Sequence, residues 1–291
     1  IIDNIKMENL RYKIEQAVNL YRHKKFSEAE SLSKKLLSKN PKVAFLYNLL
    51  GLILVALGKN DEAIKFYKNG IDIQPDYSMI YNNLASVYKF QKNYIKAENY
   101  YKRSIELDDK IPETQNNLGS LYVDLNKHDE AIRSYKKTIS INSKFYVAHY
   151  NLGVLYKSLG RFKESKKFLD EAINLNTKFY MAHRALSQIT RYQFKDKHID
   201  KMKSLYQDKV LDKNGKMELA FALGKAFDDL KKYETAIKYY DEGNKIRRDV
   251  IKFNILEEKD EFAEIKKIFK KDFIGKYNNT GEKNSTPIFI L

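Results

Sequence analysis

The sequence predicts an all-α protein built as an α-solenoid of about seven helical hairpins, and three observations carry that expectation. Only 4 Pro and 11 Gly occur in 291 residues, against long runs of Lys, Glu, Asn, Leu, Tyr and Ala, which favours uninterrupted helices over a turn-rich sheet protein. Segments starting at Leu10, Ala44, Ser78, Pro112 and Tyr146 align without a gap at a spacing of 34 residues, a sixth begins at Tyr180, and a seventh follows at Met217 after an insertion of three residues. Within every segment, apolar residues recur at helical spacing in two runs joined by a short polar turn such as "LGKND", "LNKHD" or "LGRFK".

Numbering each repeat from one, the first helix carries leucine at position seven (Leu50, Leu84, Leu118, Leu152, Leu186, Leu223) and an aromatic at position eleven (Tyr88, Tyr122, Tyr156, Phe227). Between them, position eight is always small: Ala17, Gly51, Ala85, Gly119, Gly153, Ser187 and Gly224. Glycine inside a helix costs about 1 kcal/mol relative to alanine, so its return at one phase marks a close helix approach. The second helix carries a small residue at position twenty (Ala29, Ala63, Ala97, Ala131, Ser165, Ala236) and an aromatic at position twenty-four (Tyr67, Tyr101, Tyr135, Tyr240). Small residues meeting small residues are the expected contact between the paired helices. Repeats end near Pro41, Pro75, Asp109 or Ser143, where helix-breaking or capping chemistry belongs.

This pattern resembles the tetratricopeptide repeat (TPR), whose signature is a leucine–glycine pair, an aromatic, an alanine and a terminal proline at these phases. The resemblance covers residues 10–250 and implies a right-handed superhelix with a concave groove lined by the first helix of each pair. Residues 1–9 form a lead-in. The sixth unit departs from the pattern: its first helix, "MAHRALSQITRYQF" (181–194), fits, but its second half lacks the expected alanine and aromatic, so a helix over 199–209 is expected to be displaced. Residues 251–275 read as a cap helix over the solenoid end, with Ile255, Phe262, Ile265, Ile268, Phe269 and Phe273 on one stripe.

Composition bounds the function. With no cysteine, disulfides, thiolate zinc sites and thiol catalysis are excluded, which suits a reducing cytoplasm. The most apolar stretch, "LYNLLGLILVALG" (46–58), is shorter than the ~20 residues a bilayer crossing needs, so no membrane partner is expected. The net charge of +16 would attract nucleic acid, but the lysines are dispersed and no nucleic-acid motif accompanies them, which argues against that partner. The excess of Lys, Asn, Ile, Tyr and Phe also matches A/T-rich codons.

Asn83, Asn117 and Asn151 occupy position six in three consecutive repeats, with Asn48, Asn82 and Asn116 at position five. A primary amide both donates and accepts, so such a column can hydrogen-bond an extended peptide backbone with little sequence preference. Similar ladders line peptide-binding TPR grooves of the O-linked N-acetylglucosamine transferase family. The resemblance therefore implies a protein or peptide partner in the groove; the competing reading is a merely solvated surface. A chaperone-tail clamp would need a basic pair on the third groove helix, where Glu113 and Asn117 stand instead. His149 and His183 share position four, one repeat apart, which normally faces the interior; packing is expected rather than a metal, for want of a third ligand. Gly224-Lys225 lacks the Ser/Thr and first glycine of a phosphate loop and reads as helix. "NNT" (278–280) and "NST" (284–286) match the glycosylation sequon by spelling only.

The order of "FALGKAFDDL" (221–230), cap helix, polar linker and "TPIFIL" (286–291) resembles the TPR-linked sulfotransferases of bacteria. In that family a strand like Pro287–Leu291 leads into a loop that wraps the phosphate of phosphoadenosine phosphosulfate. The resemblance implies that residues 276–291 are a linker and first strand of a catalytic domain, that this donor belongs to that domain, and that the solenoid positions a polypeptide acceptor. Residues 1–291 themselves assemble neither phosphate-binding N–H groups nor a general base, so no cofactor is expected within them. The alternative is a free-standing adaptor without enzymatic activity.

Overall fold

A computed structural model describes residues 2–251 and 255–268, all of whose regular elements are helices. The strand and linker expected over 276–291 lie outside the described residues. Fifteen helices follow in chain order: α1 (Ile2–Arg22), α2 (Phe26–Lys39), α3 (Ala44–Ala56), α4 (Asn60–Ile73), α5 (Ser78–Phe90), α6 (Tyr94–Leu107), α7 (Pro112–Asp124), α8 (His128–Ile141), α9 (Tyr146–Ser158), α10 (Phe162–Leu175), α11 (Tyr180–Ile189), α12 (Lys197–Tyr206), α13 (Lys213–Asp229), α14 (Tyr233–Ile251) and α15 (Ile255–Ile268). Helices α1–α10 form five antiparallel hairpins, each packed on the next, and α13 with α14 forms another.

Each hairpin turns at position fifteen, which is left-handed: Lys24, Gly58, Lys92, Asn126, Gly160 and Lys231 have φ between 57° and 76°. In the second repeat Gly58 N–H donates to Val55 O (3.0 Å) and Lys59 N–H to Leu54 O (2.8 Å), closing α3 as a Schellman turn. Position four fixes the joint between repeats. Tyr47 and Tyr81 donate their hydroxyls to Pro41 O (3.0 Å) and Pro75 O (2.9 Å), and His149 and His183 use Nε2 on Ser143 O and Thr177 O (both 3.0 Å). The two histidines thus take the part of the tyrosines, each bonded to the turn six residues earlier, and the metal alternative loses its geometric basis. Among the described residues no three potential ligands gather.

The predicted core is in place: the leucines of position seven, the aromatics of position eleven and the small residues of position twenty are all buried. The glycine contact differs from expectation in its partner. Position twenty does lie against position eight, since Ser165 Oγ donates to Gly153 O (2.7 Å), but the space left by the missing side chain is filled by position twenty-four. A Cβ on Gly51 would stand 2.2 Å from the Tyr67 ring, and Gly119, Gly153 and Gly224 seat Tyr135, Leu169 and Tyr240 in the same way. A large side chain on one helix, a tyrosine ring in three cases and Leu169 in the fourth, therefore nests on bare backbone of the other.

The sixth unit is rebuilt. Helix α11 stops at Ile189, five residues before the expected end, because Thr190 turns extended (φ −96°, ψ 132°). Its carbonyl accepts from Lys225 Nζ, and Tyr192 N–H donates to Asp229 Oδ2 (2.8 Å), so α13 captures the released chain. Helix α12 packs mainly against α13, and α13 lies directly on α11. The displacement read from the sequence is thus present, shifted to 197–206, with Asp196 capping the helix through His198 N–H (2.9 Å).

First helices touch one another down the stack: α1 with α3, α3 with α5, α5 with α7, α7 with α9, α9 with α11 and α11 with α13. The second helices stand further apart, so the two-layered stack bends with the first helices on its inner side. Helix α15 occupies the expected cap segment, but Phe262, Ile265 and Ile268 on its stripe are exposed rather than laid on the solenoid.

Candidate functional site: the concave groove

The inner side of the bend is built from α3, α5, α7, α9, α11 and α13, and the asparagines predicted to line it come together in pairs one repeat apart. Asn83 Nδ2 donates to Asn48 Oδ1 (2.8 Å), Asn117 Nδ2 to Asn82 Oδ1 (3.1 Å) and Asn151 Nδ2 to Asn116 Oδ1 (3.0 Å). Position five supplies the buried acceptor, and position six the half-buried donor. The six amides therefore staple successive groove helices, a role that neither a peptide ladder nor a solvated surface anticipates. An amide has two N–H groups and two lone pairs, so one staple leaves each half-exposed position-six side chain with capacity toward the groove. Asn83 spends some of it locally, accepting from Asn82 Nδ2 at 3.1 Å.

Beside Asn83 the groove opens into an apolar cleft of ≈ 360 Å³ between α3 and α5, lined by Leu52, Val55, Asn83, Ser86 and Phe90. Phe90 is 75% exposed and Val55 38%; single exposed apolar groups are ordinary on a protein surface, and what marks this place is that the two rim one concave cleft. Ser86 on the cleft wall is fixed by Asn82 O and the Tyr101 hydroxyl, both at 3.0 Å. The sequence offers only weak notice of this cleft: Leu52, Val55 and Phe90 fall outside the recurring core positions of the repeat, and their phase on the helix is the one signal available.

Charged groups begin beside the cleft, at the end of α5, and continue toward the other end of the groove. Lys89 reaches Asp124 (3.3 Å) and Ser120 Oγ (2.6 Å). Arg184 lies over the Phe221 ring at 4.6 Å and donates to both carboxylate oxygens of Glu218 (3.2 Å each). Lys157, on α9, donates to Gln188 Oε1 of α11 (2.5 Å). Burial, and then the neighbouring Arg184, hold the Lys157 amine below the usual lysine range.

Behind α11 lies a buried polar chain. His183 Nε2 must carry a proton to meet Thr177 O, so its Nδ1 accepts from His198 Nε2 (2.9 Å), and His198 Nδ1 accepts from the Tyr192 hydroxyl (2.7 Å). With both imidazoles neutral, each of these contacts has one donor and one acceptor. Burial pulls His183 down to about 4 and His198 down to about 3, with Lys201 opposing charge on both and Lys166 on His198. Gly224 and Lys225 sit inside α13, as helix rather than phosphate loop.

Among the described residues no helix is long and apolar enough to cross a membrane. Comparison with curated proteins found no match. The chain resembles solved TPR structures in fold: a tetratricopeptide repeat protein from Parabacteroides merdae ATCC 43184 (20% identity, 84% of this chain and 96% of that one, TM-score 0.57). Another is a thermophilic TPR protein of Thermus thermophilus (19%, 62% and 98%, TM-score 0.55), and a third is a chain of the APC/C Cut9–Hcn1 hetero-tetramer (16%, 80% and 42%, TM-score 0.59). Tetratricopeptide repeat models match residues 42–110, 76–144, 146–179 and 215–250, more than half of the chain and in the frame of the hairpins seen here. The chain belongs to the tetratricopeptide repeat family, a scaffold suited to protein interaction.

Proposed function

We propose that the concave groove binds an extended polypeptide. The observation that carries this reading is the cleft between α3 and α5, where Phe90 and Val55 stand exposed beside the half-exposed Asn83 amide. An apolar socket gives a side chain a place to be buried, and amides along the same trough offer hydrogen bonds to its backbone. Phe90→Asp is the sharpest test, because a side chain so exposed contributes little to folding. Partners captured by the parent should be lost from this variant while its helical circular dichroism is kept; equal capture by both would refute the groove reading.

The order of the "FALGKAFDDL" unit and the "TPIFIL" segment supports a narrower version, in which this arm presents a polypeptide acceptor to a sulfotransferase domain. A longer natural product whose residues after Leu291 carry no Gly- and Ser/Thr-rich phosphate loop removes that version and leaves an adaptor.

A further inference from the structure

The cations along the groove are not alike. Lys89 faces Asp124, Arg184 faces Glu218, and Lys225 faces Asp229. Lys157 has the neutral Gln188 oxygen as its partner and is in no ion pair among the described residues, although it is half-buried and shares its surroundings with a second cation, Arg184. Arg184 is already paired with Glu218, whereas the Lys157 ammonium meets only a neutral amide oxygen, and an arriving carboxylate would supply it a charge-assisted hydrogen bond. The net charge of +16 draws such a group toward the trough.

The distance to the apolar cleft is set by the repeat. The cleft lies between α3 and α5, and Lys157 bridges α9 to α11, three groove-helix steps away. At about 8–10 Å per packed helix this is roughly 24–30 Å. An extended chain rises about 3.3 Å per residue, so roughly seven to nine residues span it.

Building on the groove reading, we propose that the partner is an acidic peptide held at two points: a leucine or aromatic side chain in the Leu52/Val55/Phe90 cleft, and an Asp or Glu roughly seven to nine residues away on Lys157. The stapled asparagines of α5, α7 and α9 lie between, where backbone contact leaves the intervening sequence free.

The test is selection of a random 12-residue peptide display library on the whole chain, the parent in parallel with Lys157→Met, Lys157→Arg and Phe90→Asp. The parent should enrich peptides with an acidic residue roughly seven to nine places from a leucine or aromatic. A synthetic winner should lose about tenfold in affinity when its acidic residue becomes the amide, or when Lys157 becomes Met, and Lys157→Arg should restore it. Enrichment that depends on Phe90 but shows no acidic preference overturns this inference and leaves the groove reading standing. Absence of any enrichment overturns both. Competition by a poly-uridylate oligonucleotide that disappears in Lys157→Met assigns the lysine to phosphate instead, and overturns the peptide assignment.

Discussion

Replacing Gly51 with alanine isolates the contact on which the whole stack depends. The added methyl would begin 2.2 Å from Cε1 and 2.5 Å from Cζ of Tyr67, a ring that is 1% exposed and enclosed by the core of the second and third hairpins. The ring must retreat by about 1 Å before the contact becomes ordinary, and overpacking of this kind costs about 1–3 kcal/mol. Against it stands the helix preference for alanine over glycine, about 1 kcal/mol. The molecule itself limits the cost: the third repeat carries Ala85 at the same phase facing the same kind of ring, Tyr101, so the seat can adjust by a small shift. Overpacking less propensity leaves a destabilisation of up to about 2 kcal/mol, read as an earlier urea midpoint in far-ultraviolet circular dichroism at unchanged slope. A Gly51→Ala protein more stable than the parent would mean that propensity outweighs the seat, and the account of why position eight is small would fall.

Three further outcomes follow from the same geometry. Asn83→Ala leaves the buried Asn48 oxygen without its donor and should cost about 1–3 kcal/mol, whereas Asn48→Ala added to it should cost less than the sum of the two single changes; strict additivity in the double-mutant cycle would show that the pair is not coupled. Both His183 and His198 have folded pKa values below the ordinary 6.5, so the unfolded chain takes up more protons as pH falls, and stability is complete above about 6.5 and lost toward 4 and 3. Urea titrations at pH 7.5 and 5.0 should differ by a few kcal/mol in the parent and much less in His183→Gln/His198→Gln; a parent indifferent to pH over this interval contradicts the neutral chain. Lys92 adopts φ 58° where Gly58 and Gly160 stand in other repeats, so Lys92→Gly should stabilise by about 1 kcal/mol through relief at the left-handed turn, and a lower midpoint would count against that strain.

The hairpins, their boundaries and their core were legible because a 34-residue period repeats each physical requirement several times: a leucine to bury, a bare spot for a ring, a turn residue able to go left-handed. Single departures were harder to read. The early stop of α11 depends on Lys225 and Asp229, which are 35 and 37 residues from the Thr190 and Tyr192 groups they hold, and no local pattern around 181–194 announces it. Asp196 ahead of His198 was a cap signal that places the start of α12 better than the failing repeat frame did. The asparagines were found at the right phase, but their mutual bonding is a property of neighbouring helices and not of either sequence. Lys157 was invisible for a similar reason. What distinguishes it from Lys89 is that, among the described residues, no carboxylate meets it across the groove.

The rearranged sixth unit also bears on the shape of the molecule. A curved wall made of two unequal layers owes its bend to every rod in the outer course, and between α10 and α14 one rod has been moved aside. There Ile199 and Met202 of the shifted rod still bury against Leu219 and Leu223, and the directional links of Tyr192, His198, His183 and the Lys225 clasp are added to that packing. The curvature at the far end of the trough is therefore set by residues of the sixth unit that stand behind α11 rather than in the groove itself.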